Sequence, residues 1–349
     1  MLRRRILIFA ILVGLWQSLI WRGLEVNAQS HPTVDSSGVI FMFYNCENLF
    51  DTINDPEKDD EEFLTGGTRG WNYNKYLRKL NAVAKVIMSA GEWEPPALIG
   101  LCEVENEGVI NDLLRLTPLR SFDYNFIYAE SDDRRGIDIC LLYRSDIVSE
   151  IASRSITPNL PVGDTLFLSR PVLYSEMKIS NKTLHLFINH WPSRRGGILN
   201  GQPLRIALAE RIVELTDSIR QEMGVTSAII VAGDLNCNPS DIEISIIEKA
   251  GFSNLASPAA ASGLGSYRYR GMWNMFDQIL VSDALVNENS SIRASRFAIL
   301  SPEILLVNDS AWPGKKPFPT YDNYRYSGGF SDHLPVMVTI TFLPDRNCP

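Results

Sequence analysis

The chain has 349 residues, 45% hydrophobic and 21% charged, the balance of a folded protein with a large core and not of a disordered one. Lys and Arg number 33 against 41 Asp and Glu, a formal net charge of -8, which excludes broad attraction to nucleic acid or anionic membranes. Any hold on a polyanion has to come from local basic clusters and bound cations.

The first residues form a separate unit. Arg3, Arg4 and Arg5 precede an apolar run from Ile6 to Ile20, and a short polar stretch leads to Ala28. A basic start, an apolar centre shorter than the ~20 residues of a membrane span and a small residue at the cut are the parts of a secretory signal peptide. We therefore expect residues 1–28 to be a signal peptide, 29–37 a loose lead-in and 38–345 one domain, exported to the periplasm or the exterior if the source is bacterial. A retained N-terminal anchor is the alternative. Removing residues 1–28 leaves 29 basic against 40 acidic residues, a net charge of -11. Nothing later is long and apolar enough to cross a membrane, so no stable insertion is expected after removal of the signal. Nothing in the sequence fixes the oligomeric state; a monomer is the simplest expectation.

From Val39 the chain alternates strand-like and helix-like segments. Val39 to Tyr44 is an apolar strand, 51–74 an acidic loop, and Tyr76, Leu80, Val83, Ala84 and Ile87 recur at helical spacing over 75–90. Leu98 to Cys102 is a short buried strand, 106–116 a helix, and Tyr124 to Tyr128 and Ile137 to Tyr143 are strands. An alternating run near 166–179 and Thr183 to Asn189 are further strands, and Pro203 to Met223 is a long helix. Ala228 to Ala232 is a strand and Asp241 to Lys249 a helix, with strands at Gly265 to Tyr269, Phe276 to Val281, 291–299 and Leu334 to Phe342. The order suggests two similar halves. It predicts an α/β fold, a four-layer α/β/β/α sandwich of two mostly antiparallel sheets packed face to face with helices outside.

Polar residues gather where these apolar strands end. Asn45 and Glu47 follow the first strand and Glu103 the second, and hard divalent cations take such carboxylate and amide oxygens. Each alone also reads as a strand-end residue capping the next helix. Asn189, His190, Trp191, Pro192, Ser193, Arg194, Arg195, Gly196 and Gly197 form a turn able to hold phosphate through bidentate arginine and open backbone N–H groups, or simply a basic surface turn. In Gly233, Asp234, Leu235, Asn236 the acid and the amide lie on the same side of an extended chain, suited to taking a proton from water and steadying a phosphoryl oxygen; an Asx-turn is the rival reading. Ser331, Asp332 and His333 place an acid and a histidine at a strand entrance, and Asp277 is an acid amid apolar residues that needs a partner such as histidine.

In this order, Asn45, Glu103, His190, Asp234-x-Asn236, Asp277 and Ser331-Asp332-His333 resemble the motif series of the endonuclease/exonuclease/phosphatase family, over about residues 39–343. The resemblance implies an exported, metal-dependent phosphoester hydrolase, expected to be a nuclease or phosphodiesterase that uses an activated water. An inositol-phosphate phosphatase or a sphingomyelinase-like phospholipase is the alternative, and a non-catalytic binding module a third. It implies Glu103 as principal metal ligand with Glu47 and Asn45 close by and Asp332 joining. The expected ion is Mg²⁺, with Mn²⁺ or Ca²⁺ as alternatives. It further implies Asp234 as the group that orients or deprotonates water, Asn236 as its positioner, His333 held by Asp277 on the phosphate, and His190 on another phosphate oxygen. Where many relatives carry glutamine before the metal-binding glutamate, this chain has Cys102.

The basic residues cluster. Arg134 and Arg135, Arg194 and Arg195, and Arg268 and Arg270 form pairs, the last interleaved with Tyr267, Tyr269 and Trp273. We expect Arg194, Arg195, Arg268 and Tyr143 as substrate contacts on a cationic, aromatic rim suited to a phosphodiester backbone, with nucleic acid as the partner. The five cysteines, Cys46, Cys102, Cys140, Cys237 and Cys348, show no disulfide or zinc spacing, and four of them are expected as buried thiols.

Overall fold

The structure, a computed structural model, describes residues 38–91, 94–162, 165–194 and 198–343. The signal peptide 1–28, the lead-in 29–37, the domain end at 344–345, Arg195 and Cys348 lie outside the described residues. The elements run β1 (Gly38–Leu49), α1 (Tyr73–Ser89), β2 (Leu98–Val104), α2 (Glu107–Leu116), β3 (Tyr124–Ala129), β4 (Asp138–Arg144), β5 (Val148–Ile156) and β6 (Val172–Ile179). They continue with β7 (Lys182–His190), α3 (Ile198–Met223), β8 (Ile229–Asp234), α4 (Ile242–Lys249), β9 (Phe252–Asn254), β10 (Asp277–Ser282), β11 (Ile292–Ile299) and β12 (Val336–Phe342).

Two six-stranded sheets result, β11-β12-β1-β2-β4-β3 and β5-β6-β7-β8-β10-β9. Each is antiparallel except at its centre, where β1 pairs with β2 and β7 with β8 in parallel. The two orders are the same pattern used twice. A parallel pair needs a crossover, and α1 and α3 supply it. The α/β sandwich expected from the sequence is therefore the observed architecture, and the repeat of halves is its organising rule.

Burial explains the apolar runs. Along β1, Phe41 and Phe43 face the layer between the sheets, packing with Leu186, Ile188 and Ile230. Met42 and Tyr44 face the other way, onto Leu80, Val83 and Ile87 of α1. In the second sheet Phe187 and Val231 meet Leu208 and Ile212 of α3 and Ile244 of α4. Strands covered on both faces carry no polar alternation, so they read as continuous hydrophobic runs.

The helices begin on polar caps: Asn72 accepts from the Lys75 N–H and Asn106 from the Val109 N–H, each relieving an orphan donor of the first turn. Helix α3 starts five residues earlier than its apolar pattern suggests, with Pro203 inside it. A proline is least costly near a helix start, where few carbonyls lie behind it. Strand β5 gives no apolar signal because it is an edge strand with mostly exposed residues. The segment expected as one strand from Gly265 to Tyr269 is a small hairpin of Tyr267–Tyr269 with Met272–Asn274. Cys46, Cys102, Cys140 and Cys237 are buried and free, as the sequence leads one to expect.

Candidate active site

The two central parallel pairs end on one side of the sandwich, and their last residues meet. The register sets His190 beside Asp234, and Asp234 opposite Asp277 on β10. On the other sheet Asn45 lies beside Cys102, so Glu103 is the next residue out. There the ladder slips, between Asn45 and Leu49 on β1 and between Cys102 and Val104 on β2. Glu47, Asn48, Glu103 and Asn236 all take positive φ, from 49° to 58°. Left-handed backbone at non-glycine residues costs about 1–3 kcal/mol each and persists only where the surroundings enforce it. The bulge turns the Glu103 carboxylate toward the irregular end of β1, where its Oε2 accepts the Asn48 N–H at 3.0 Å.

Asp234 is the hub. Its Oδ2 accepts the Asn45 amide at 3.1 Å, and His190 Nε2 and His333 Nε2 stand 3.8 and 3.9 Å away. The same Asn45 amide reaches Glu103 Oε1 at 3.3 Å, and His190 Nε2 is 3.9 Å from that oxygen. Asp234 Oδ1 accepts the Asn236 N–H at 3.0 Å, while the Asn236 side-chain amide donates to the Trp191 carbonyl at 3.1 Å. His333 is fixed from two directions. Asp277 Oδ2 pairs with its Nδ1 at 2.6 Å, and its own N–H donates to Ser331 Oγ, which in turn donates to the Asn45 carbonyl at 2.8 Å. The Tyr267 ring lies 4.7 Å from the imidazole.

The two histidines are driven apart electrically. Burial alone favours a neutral His333, yet Asp277 and Asp234 outweigh it and hold the ring well above the usual histidine range, so it is charged. Burial, reinforced by the Arg170 and Arg135 guanidiniums, holds His190 well below that range, so it is neutral. Burial above all pushes the Asp234 carboxyl up, against the pull of His333. One imidazolium, one imidazole and one basic carboxylate thus share a single mouth.

The residues present fit a divalent cation. Asp332 makes no ion pair and no side-chain hydrogen bond among the described residues; burial raises its carboxyl, with Glu103 and Asp234 adding to the effect against His333 and Lys79. A partly buried carboxylate that shares its surroundings with the carboxylates of Glu103 and Asp234 suits a hard cation. Asp234, Asp277 and His333 also bring ligand atoms within 4.8 Å of one another. There, however, Asp277 Oδ2 is already paired with His333 Nδ1, so that trio is a dyad facing Asp234.

Of the thirteen residues expected from the sequence, His190, Asp234, Asn236, Asp277, His333, Asn45, Glu103 and Asp332 come together. Glu47 turns aside: its Oε2 accepts the Thr320 N–H at 2.6 Å and its Oε1 the Tyr321 N–H at 3.4 Å, with Lys79 Nζ 3.9 Å away. Its two oxygens thus hold the Thr320–Tyr321 backbone, while Asp332 is near enough to add to the burial that raises its carboxyl. Arg194 is also withdrawn, its Nε donating to the Asn236 carbonyl at 2.7 Å and its Nη2 to Asp241. Arg268 is fully engaged by Asp309 and the carbonyls of Gly271, Pro313 and Lys315. Tyr143 sits at the wrong end: β4 runs against β2 and pairs Tyr143 with Leu98, five residues and roughly 17 Å from Glu103. Its hydroxyl donates to Glu150 at 3.2 Å. Two residues escaped sequence reasoning. Lys79 lies on the apolar stripe of α1, three after Tyr76 and four before Val83, a position where a lysine is itself a signal. Arg170 carries no local signal, and only the pairing of β6 with β7 brings it to the His190 and Trp191 carbonyls, at 3.3 and 3.1 Å.

Comparisons with known proteins bear on this geometry. The model of the Endonuclease/Exonuclease/phosphatase family matches residues 40–341. A protein of that family from Bacteroides thetaiotaomicron superposes with a TM-score of 0.57 at 14% identity, covering 90% of this chain and 98% of the other. A mannosyl-6-phosphatase from the same organism gives 0.56 at 14%, covering 87% and 100%. D. rerio TDP2 complexed with a single-strand DNA product gives 0.54 at 17%, covering 88% and 100%. At these identities the likeness concerns the fold. No curated protein sequence matches the chain.

Proposed function

The chain belongs to the endonuclease/exonuclease/phosphatase family, and from that membership we propose that it hydrolyses phosphoester bonds by in-line attack of water, with the aid of a divalent cation. The observation that carries this reading is the meeting of Glu103, Asp234, His333 and His190 from four separate strand ends. Asp234 orients the water and accepts its proton, a task for which a carboxyl raised by burial is suited. His333, held by Asp277, places an imidazolium where negative charge grows on the phosphoryl oxygens, and His190 contacts another of them. Asn236 steadies the attacked group. The P–O bond to the leaving group breaks as the water oxygen bonds to phosphorus, and the departing oxygen takes a proton from solvent. A divalent ion held by Glu103 and Asp332, with Asn45 beside them, would supply charge neutralisation at a non-bridging oxygen; Mg²⁺ is our first choice, with Mn²⁺ next.

For the substrate we propose nucleic acid with a single-stranded end. Tyr269, Arg270 and Trp312 remain exposed on and beside the hairpin whose Tyr267 packs on His333, with Arg270 5.2 Å over the Tyr269 ring. Exposed aromatics with a cation suit stacking of unpaired bases. A second reading, hydrolysis of a small phosphomonoester, is favoured by the engagement of Arg194 and Arg268 inside the protein. The mature protein with Mg²⁺ or Mn²⁺ is expected to cleave single-stranded DNA or release p-nitrophenol from p-nitrophenyl phosphate or its bis-ester. Chelation should slow it by about 100-fold or more, reversed by adding metal back. Absence of turnover on all of these, with either ion, would refute the reading. We further propose that the protein is exported and cut after Ala28; N-terminal sequencing of the secreted product should begin at Gln29, and a product beginning at Met1 would speak for an anchor.

A further inference from the structure

We propose that Arg135 and Arg170, locked together by Asp133 beside His190, form an anion subsite that takes a phosphate dianion of the substrate. This deepens the reading above and rests on it for its location. The turn from Asp133 to Gly136 comes from the loop before β4 in one sheet, and Arg170 from the segment before β6 in the other. Asp133 joins them: Arg135 Nε and Nη2 reach its two oxygens at 3.2 and 3.0 Å, and Arg170 Nε reaches Oδ2 at 2.9 Å. One carboxylate serves two guanidiniums, so a positive charge is left over. Arg170 is held further by the His190 and Trp191 carbonyls at 3.3 and 3.1 Å, which seats it on the strand end that presents the neutral histidine. Arg135 Nη1 and Arg170 Nη2 donate to no protein acceptor among the described residues. Both planar forks are therefore oriented, each with donors to spare, and that arrangement suits recognition of a phosphate.

The place in the fold makes the assignment sharper. In the repeated halves, Arg170 precedes β6 as Asp332 precedes β12, so one half sets an acid at the mouth and the other a base. The mouth has a side for a cation and a side for an anion. A phosphodiester carries a single negative charge there, whereas a phosphomonoester carries about -1.5 to -2 at neutral pH. A surplus of cationic donors beyond His333 favours the second. The dianion has two sources, the scissile group itself or a phosphate adjoining it on the same molecule, and both present the same chemistry.

Three substrates separate these sources: p-nitrophenyl phosphate, thymidine 5′-(p-nitrophenyl phosphate), and its 3′-phosphorylated form. In Arg135→Met and Arg170→Met, kcat/KM is expected to fall at least about 30-fold on the first or the third, and at least about tenfold further there than on the plain diester. Loss on the first identifies the scissile group as the dianion; loss on the third identifies the neighbour. Equal losses on all three, or no loss, would overturn the subsite. Because Arg170 also braces two carbonyls, Arg135→Met, whose side-chain partner among the described residues is Asp133, keeps the test open if Arg170→Met does not fold. Inorganic phosphate binding to the full-length protein, measured by calorimetry, is expected to weaken about tenfold in Arg135→Met. That readout stands even if no substrate turns over, and an unchanged affinity refutes the subsite while leaving the hydrolase reading to its own experiment.

Discussion

Asp234→Asn and His333→Ala should each lower kcat on any phosphoester that the protein cleaves by about 10³-fold, with KM shifting far less. Asparagine preserves the shape of Asp234 and its hydrogen bond from the Asn236 N–H, so loss of activity would report loss of the proton acceptor and its charge. Alanine at 333 removes an imidazolium that faces Asp234 Oδ2 at 3.9 Å. The two groups act on one displacement, so the double variant should be little slower than either single one. Asp277→Asn tests the dyad separately. Without that carboxylate the protonated ring loses its strongest support, its pKa falls, and the alkaline limb of the rate profile should move to lower pH. Rate profiles of the three variants check these statements; a fall in kcat of less than tenfold for Asp234→Asn, or an alkaline limb that stays in place in Asp277→Asn, would contradict the assignment.

Lys79→Met is expected to cost about 3–5 kcal/mol of stability, the range for removing one partner of a buried ion pair. The Lys79 ammonium is almost wholly enclosed, donating to Thr320 Oγ1 at 2.5 Å and the Phe330 carbonyl at 2.6 Å with Glu47 3.9 Å away. Its removal strands Glu47, whose carboxyl burial already pushes up, against the Thr320 and Tyr321 N–H groups. In a chain of this size the midpoint of thermal unfolding should fall by roughly 6–20 °C. Adding Glu47→Gln to Lys79→Met should restore most of it, because the amide keeps an acceptor for Thr320 and leaves no buried charge. A shift of less than about 2 °C for Lys79→Met would show that the loop is held by other contacts. Activity should fall with stability, because Phe330 adjoins the Ser331–His333 segment.

The strained backbone has the same logic. Positive φ at Glu47, Asn48, Glu103 and Asn236 is concentrated where acids must leave the direction of their strands. Regular extension would bury the Glu103 side chain in a sheet face, and the bulge avoids this. Asn45 contributes by bridging the sheets, its amide shared between Glu103 and Asp234.

How much of this was legible depends on the kind of signal. Residues at the ends of apolar strands stood out because a carboxylate or imidazole there breaks a burial pattern, as with Glu103, Asp234 and His333. Rim residues did not, because an arginine that stacks on substrate and one that knits two loops look the same in a string. Arg268 and Arg194 knit; Tyr143 was misplaced because strand direction reverses which end faces the mouth. Glu47 is two residues from Asn45 in the chain, yet its carboxylate takes the Thr320 and Tyr321 N–H groups, a pairing set by a segment more than 270 residues away. Arg170 had no signal at all, because its role comes from a register across β6 and β7.

The sequence by itself determined the layers, the repeated order of elements and the polar residues that interrupt the ends of apolar strands, since periodicity and burial follow from side-chain chemistry alone. Tertiary structure decided which polar groups share a mouth, which charges cancel, and which histidine holds a proton. Those are properties of distances between residues far apart in the chain, and electrostatic energy depends on such distances and on burial, not on order.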